Sequence, residues 1–265
     1  MHNFEFIRAT SVAEAAEILR DDPEAGLLSG GQTLLPTMKQ RLAAPSKLVS
    51  LTAIEALKGL SQEGDSLTIG GATTHAEVAE RAVGIFPGLA SLAGRIGDPA
   101  VRNRGTIGGS LANNDPAACY PAAALACGAM MVTDRREIPA DDYFLGVFET
   151  ALQDGEILTA VRFPIPEAAC YQKFIQPASR FSMVAVFVAR FADRVGVAVT
   201  GASEDGVFRW AEGEAALGAA FTPDAVQGLS LPETGMITDS FGTGAFRAHL
   251  IPVLTARAVT SLTAG

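Results

Sequence analysis

Two short glycine loops are the residues best suited to chemistry in this chain. In Ser29-Gly30-Gly31-Gln32-Thr33, paired glycines lie between a strand pattern and a helix pattern. Such a turn can aim several backbone N–H groups at an anion, with the field of the helix start assisting. Without Cβ atoms, Gly30 and Gly31 let a pyrophosphate come close to the backbone, and Thr33 can add a hydroxyl donor. A glycine pair is equally what a strand-to-helix turn with positive φ requires, and alone it favours that simpler reading. The second loop, Thr106-Ile107-Gly108-Gly109-Ser110-Leu111-Ala112-Asn113-Asn114-Asp115-Pro116, mixes two glycines, two hydroxyls and a run of amide and carboxylate groups. That mixture suits a buried polar ligand such as a dinucleotide, or a bulged strand end followed by an Asn-Asp turn.

Other chemistries are excluded by what is missing. No GxGxxG follows a strand, and there is no GxxxxGK[ST] and no GxSxG elbow. His2, His75 and His249 stand in unrelated settings and read as surface or packing residues, so no catalytic residue is assigned. Cys119, Cys127 and Cys170 form no CxxC pair, whereas a zinc or iron–sulfur centre takes about four closely placed ligands. No metal site is therefore expected on this chain. Twenty basic against 29 acidic residues give a formal charge of -9, which argues against nucleic acid as a partner.

The elements that must carry these loops can be read from periodicity. The 265 residues, 48% of them hydrophobic, suffice for roughly two domains or one large one. Residues 4–8, 26–28 and 47–51 read as strands, alternating with a helix from Ser11 and another over 33–40. Ser11 with Glu14, and Thr74 with Glu77, read as capping boxes. Further strands are expected at 66–69, 106–107, 130–133 and 157–163, and helices at 87–96 and 121–127. After Pro164-Ile165-Pro166, the best linker in the chain, strands at 182–191, 195–200 and 208–210 precede helices at 212–217, 223–228 and 245–262. The sparse cysteines, the N-terminus without a signal-peptide pattern and the lack of an apolar run near ~18 residues give a cytoplasmic expectation without a membrane span.

Several motifs together resemble one family. Ser29-Gly30-Gly31-Gln32-Thr33-Leu34-Leu35-Pro36 and Ile96-Gly97-Asp98-Pro99-Ala100-Val101-Arg102-Asn103-Arg104-Gly105-Thr106-Ile107-Gly108-Gly109-Ser110 are similar to the FAD-binding medium subunits of molybdenum hydroxylases. Within that family the likeness is to the carbon monoxide dehydrogenase medium-subunit branch of the xanthine dehydrogenases. It continues through Phe148-Glu149-Thr150-Ala151, Gly155-Glu156-Ile157-Leu158, Tyr171-Gln172-Lys173-Phe174, Ala178-Ser179-Arg180 and Arg247-Ala248-His249-Leu250-Ile251-Pro252, in the expected order over nearly the whole chain.

The resemblance implies an α+β protein: a two-subdomain FAD-binding fold of the PCMH / vanillyl-alcohol-oxidase-like type (residues 1–52 and 53–166), then a C-terminal α+β domain of antiparallel strands and helices (167–265). It implies that Leu28, Ser29, Gly30, Gly31, Gln32, Thr33 and Leu34, with Thr106, Ile107, Gly108, Gly109 and Ser110, bind the FAD pyrophosphate and neighbouring ribose. Ile96 and Leu158 match positions that line the flavin, and Lys173 matches a lysine that helps hold FAD; by its residue type alone it is a solvated lysine on a strand. Asp115 is either a further polar contact or the cap of the Pro116 turn. Two positions depart from the family. Cys119 stands where an FAD-contacting Asp is usual, and Phe181 where a Tyr often covers the flavin. The implied role is electron transfer. A large chain carries the molybdenum cofactor, a small chain carries [2Fe-2S] clusters, and FAD passes electrons to NAD⁺, a quinone or a dedicated carrier, in a dimer of heterotrimers. The alternatives are an FAD-depleted scaffold subunit and a stand-alone flavoprotein oxidoreductase.

Overall fold

The computed structural model describes residues 1–176 and 180–264. The N-terminal part alternates β1 (Glu5–Arg8), α1 (Val12–Asp21), β2 (Gly26–Leu28), α2 (Leu34–Lys39) and β3 (Lys47–Ser50). The three strands pair in parallel in the order β1-β3-β2, as connections through helices require. Ser11 caps α1 by accepting the Glu14 N–H at 3.1 Å. The expected reciprocal half of that box is absent: the Glu14 carboxylate accepts the N–H and hydroxyl of Thr10 at 2.8 and 2.7 Å instead.

The middle part holds β4 (Leu60–Glu63), β5 (Ser66–Gly70), α3 (His75–Arg81), α4 (Pro87–Gly94), α5 (Pro99–Arg102), α6 (Ile107–Asn113) and α7 (Tyr120–Cys127). It continues with β6 (Met130–Thr133), β7 (Glu137–Pro139), α8 (Ala140–Tyr143), β8 (Phe144–Gly146), β9 (Glu149–Thr150) and β10 (Leu158–Pro164). Five of these strands make an antiparallel sheet in the order β4-β5-β10-β6-β7, and β8 pairs with β9. The Thr74–Glu77 capping box is complete. The strand expected at 106–107 is replaced by a helix start. Thr106 is extended and bridges Thr74, but its hydroxyl accepts the Gly109 N–H and opens α6 at Ile107. Between α4 and the second glycine loop lies α5, capped by the Asp98 carboxylate on the Val101 N–H at 3.0 Å.

A four-stranded antiparallel meander follows: β11 (Ala168–Ile175), β12 (Ser182–Arg190), β13 (Val195–Ser203) and β14 (Gly206–Arg209). It is completed by α9 (Ala211–Ala219), α10 (Asp224–Gln227) and α11 (Gly244–Thr263). Strand β12 is buried on both faces, which explains its unbroken apolar run. Alternate side chains serve different cores. Ala185, Phe187 and Ala189 join the core of the middle sheet, whereas Val184, Val186 and Val188 pack with α11. Phe86 links the two sheets, its ring edge-on to Phe163 at 6.2 Å and Phe187 at 6.1 Å. All eight residues of α7 are buried between these layers, as its all-apolar composition demands. Among the described residues no helix is long and apolar enough to cross a membrane.

One buried carboxylate anchors the middle sheet. Glu156 accepts the Thr133 hydroxyl at 2.8 Å, Arg136 Nε at 2.9 Å and the Gln153 N–H at 2.8 Å. The Arg136 hydrogen bond, aided by those from Gln153 and Thr133, outweighs burial and holds its carboxyl at about 2, below the ordinary 4.5. A carboxyl lowered by folding adds stability above its unfolded value and loses it as the pH falls toward its folded one. Glu156→Gln is therefore expected to cost about 2 kcal/mol at pH 7. In denaturant unfolding, its deficit against the natural chain should shrink as the pH falls from 4.5 toward 2.

Candidate functional site

The first glycine loop leaves the end of β2 and is pressed against a second backbone segment. A Cβ on Gly30 would collide with the Arg104 carbonyl oxygen and sit 2.6 Å from Gly105 Cα, so only glycine fits there. Beside this contact Ser29 Oγ and Thr106 Oγ1 share a hydrogen bond at 2.9 Å. The two glycine loops, 77 residues apart in sequence, are thereby joined. Gly31 turns the chain with φ +71°.

The loops differ in what they offer. Among the described residues, the N–H groups of Gly30, Gly31, Gln32 and Thr33 meet no protein acceptor. Gln32 and Thr33 are exposed, Leu28, Ser29, Gly30, Gly31 and Leu34 half-buried. The Thr33 side chain makes no capping bond to α2. Successive unpaired amides of this kind can form a cradle for an anion. In the second loop the amides are already engaged. Ile107 N–H donates to Thr73 O at 3.1 Å, Gly108 N–H to Gly71 O at 2.9 Å, Gly109 N–H to Thr106 Oγ1 at 3.2 Å, and Ser110 N–H to Thr106 O at 3.0 Å. Gly108 lies flush on the Gly71 backbone and Ile107 is wholly buried in the core. The parts of this loop open to a ligand are Gly109, exposed, and Ser110, half-buried.

Behind the contact lies His75. Its N–H donates to Gly105 O at 2.9 Å, and its ring packs on Tyr120 with centroids 5.4 Å apart. Nδ1 has no partner among the described residues. Burial, with the Arg102 charge adding, lowers its pKa from 6.5 to about 4, so the imidazole is neutral and acts as packing. Ile96 follows α4 and is half-buried, its carbonyl accepting Arg102 Nη1 at 3.0 Å. Leu158 is buried at the start of β10 and packs into the core of the middle sheet. Asp115 uses its carboxylate on the Ala117 N–H at 2.8 Å, so in this structure it holds the Pro116 turn.

Lys173 is not the solvated lysine its type suggests. It is 7% exposed, with Nζ 3.3 Å from Arg95 O and 3.5 Å from Cys119 Sγ. Sequence reasoning missed Arg95, which holds β11 by donating to Tyr171 O at 2.8 Å and packs over the Tyr171 ring. An arginine at a helix end carries no local signal of a partner 76 residues away. Phe181 is 51% exposed; Ala178 and Ser179 of the neighbouring motif lie outside the described residues. Among the described residues no three His, Cys, Asp or Glu side chains are grouped to hold a metal ion.

Comparison with known proteins gives this site a context. Residues 2–166 match a family model described as the FAD binding domain in molybdopterin dehydrogenase. The chain is 34% identical to the carbon monoxide dehydrogenase medium chain of Hydrogenophaga pseudoflava, over 84% of this chain and 83% of that one. It is also 34% identical to the nicotine 6-hydroxylase medium subunit of Paenarthrobacter nicotinovorans, over 94% and 93%. A solved structure of carbon monoxide dehydrogenase from Hydrogenophaga pseudoflava, lacking the Mo-pyranopterin moiety of its cofactor, superposes with a TM-score of 0.88 at 31% identity, covering 99% of this chain and 98% of that one.

Gly30→Ala drives a methyl into the Arg104–Gly105 backbone and should lower stability by about 1–3 kcal/mol in denaturant unfolding. Gly84→Ala, with open space at its Cβ, should stay near neutral. Because His75 is protonated at about 4 when folded and at 6.5 when unfolded, stability should fall as the pH drops between those values. Stability measured across that window should fall less steeply with pH in His75→Gln than in the natural chain.

Proposed function

This chain belongs to the family of FAD-binding subunits of molybdopterin dehydrogenases, and from that premise we propose that it carries FAD at the junction of its two glycine loops and relays electrons through it. The observation that carries the proposal is the row of four unpaired amides at Gly30, Gly31, Gln32 and Thr33, a cradle fitted to the pyrophosphate anion. The Thr33 and Ser110 hydroxyls would add donors, Lys173 a buried positive charge, and Ile96 and Leu158 apolar wall. Leu28, Leu34 and Gly109 would border the cradle, while Thr106, Ile107 and Gly108 would support it from behind.

FAD, when bound, supplies the redox chemistry, exchanging electrons singly or in pairs. The chain would bind and orient it, with Leu158, Ile107 and Tyr171 supplying a dry apolar core behind the site. No general acid or base is needed for that task, in keeping with a neutral, enclosed His75 and an Asp115 committed to its own turn. The relatives are named as medium chains or subunits, so further chains assemble with proteins of this kind. We assign the molybdenum cofactor to a large partner and [2Fe-2S] clusters to a small one, in a dimer of heterotrimers. NAD⁺ or a quinone is the acceptor. The named relatives act on molecules as different as carbon monoxide and nicotine, which fits a substrate pocket on another chain. Free thiols at Cys119, Cys127 and Cys170 fit a reducing, cytoplasmic setting.

The test is to purify the chain alone, add FAD and record its visible spectrum, then add the partner chains with substrate. A bound flavin that substrate reduces only when the partners are present is expected. A colourless chain that still docks on them would favour a scaffold, and turnover by the chain alone a stand-alone oxidoreductase.

A further inference from the structure

Three charged side chains other than histidine are deeply buried among the described residues: Glu156, Arg247 and Lys173. Two of them are matched. Arg247 pairs with Asp239 at 2.7 Å, and Glu156 with Arg136 at 2.9 Å. Lys173 is the exception. Its Nζ meets the Arg95 carbonyl and the Cys119 thiol, and among the described residues no carboxylate comes within 4 Å of it. Cys119, 5% exposed, also lies beside Ser182 Oγ at 3.8 Å and the Tyr171 hydroxyl, which in turn faces Ser182 Oγ at 3.3 Å. An ammonium carries three donors, and two are accounted for here. A buried cation without a counter-charge is costly, and its field is weakly screened. Such a group is tolerated where a ligand brings the missing negative charge.

We propose that Cys119 leaves the Lys173 charge unneutralised for the cofactor, and that residue 119 thereby sets the reduction potential of the bound flavin. This rests on the FAD reading given above. Reduction adds electrons to the flavin, and a weakly screened positive charge near it favours the electron-richer state. A carboxylate at position 119 would stand against Nζ and cancel much of that field. Residue 119 acts through Lys173 and is a positioning and tuning residue, not a catalytic one.

The experiment is a spectroelectrochemical titration of the FAD-loaded chain, paired with thermal unfolding of the same proteins without FAD. Cys119→Asp and Lys173→Met should each lower the flavin midpoint potential, while Cys119→Ser should leave it in place. Without FAD, Lys173→Met should unfold at a higher temperature than the natural chain, because an unpaired buried charge has been removed. With FAD it should bind the cofactor at least tenfold more weakly. A potential unmoved by Cys119→Asp, or moved as far by Cys119→Ser, overturns the proposal. So does a lower unfolding temperature for Lys173→Met without FAD, as a purely structural lysine would give. If the natural chain takes up no FAD at all, the cofactor reading itself fails, while the unfolding comparison still decides whether Lys173 is an uncompensated charge.

Discussion

The site depends on one steric constraint: the backbone of Arg104 and Gly105 occupies the space a side chain would need at residue 30. Because Gly30 yields that space, the loop after β2 lies directly on the segment before α6, and Ser29 and Thr106 can share a hydrogen bond. Everything the loop offers a ligand follows from being held there. Its four amides stay unpaired because the loop is fixed by close contact and by the flanking strand and helix, not by amide bonds of its own. A larger residue at position 30 would separate the two glycine loops.

The second glycine pair does a different job. Gly108 lets α6 rest on the Gly71 backbone, and the amides of Ile107 through Ser110 are spent on Thr73, Gly71 and Thr106. It supports the cradle more than it contributes donors. Because β12 sends Ala185, Phe187 and Ala189 into the middle core and Val184, Val186 and Val188 toward α11, the neighbouring β11 is held against α4. That placement buries Lys173 next to Arg95 and Cys119.

Much of this was legible in the sequence, for reasons particular to each element. The paired glycines marked both loops, Ser11 and Thr74 marked helix starts, and the apolar run after Ser182 marked a strand. Thr106-Ile107 read as a strand because β-branched residues favour extended backbone, yet a threonine hydroxyl also caps a helix, and here the Gly109 N–H decided the matter. The Glu14 carboxylate found Thr10 before Ser11, a competition between adjacent donors that spacing cannot resolve. Short elements of mixed polarity, such as β4, β7 and the β8–β9 hairpin, have no periodicity to read. The hairpin is instead held by buried Asn114, whose side-chain amide donates to Gly146 O at 2.8 Å and Glu149 O at 2.9 Å. Which amides remain free, and which lysine is buried without a carboxylate beside it among the described residues, are consequences of long-range packing and exist only once the chain is folded.

The central claim is that the first loop supplies free amides and the second does not. Amide hydrogen exchange, followed residue by residue with and without FAD, tests it most directly. Residues 107–110 should be protected before FAD is added and little changed by it, whereas residues 30–33 should exchange quickly alone and slow markedly on binding. Fast exchange at 107–110 that FAD suppresses, with 30–33 unaffected, would contradict the account.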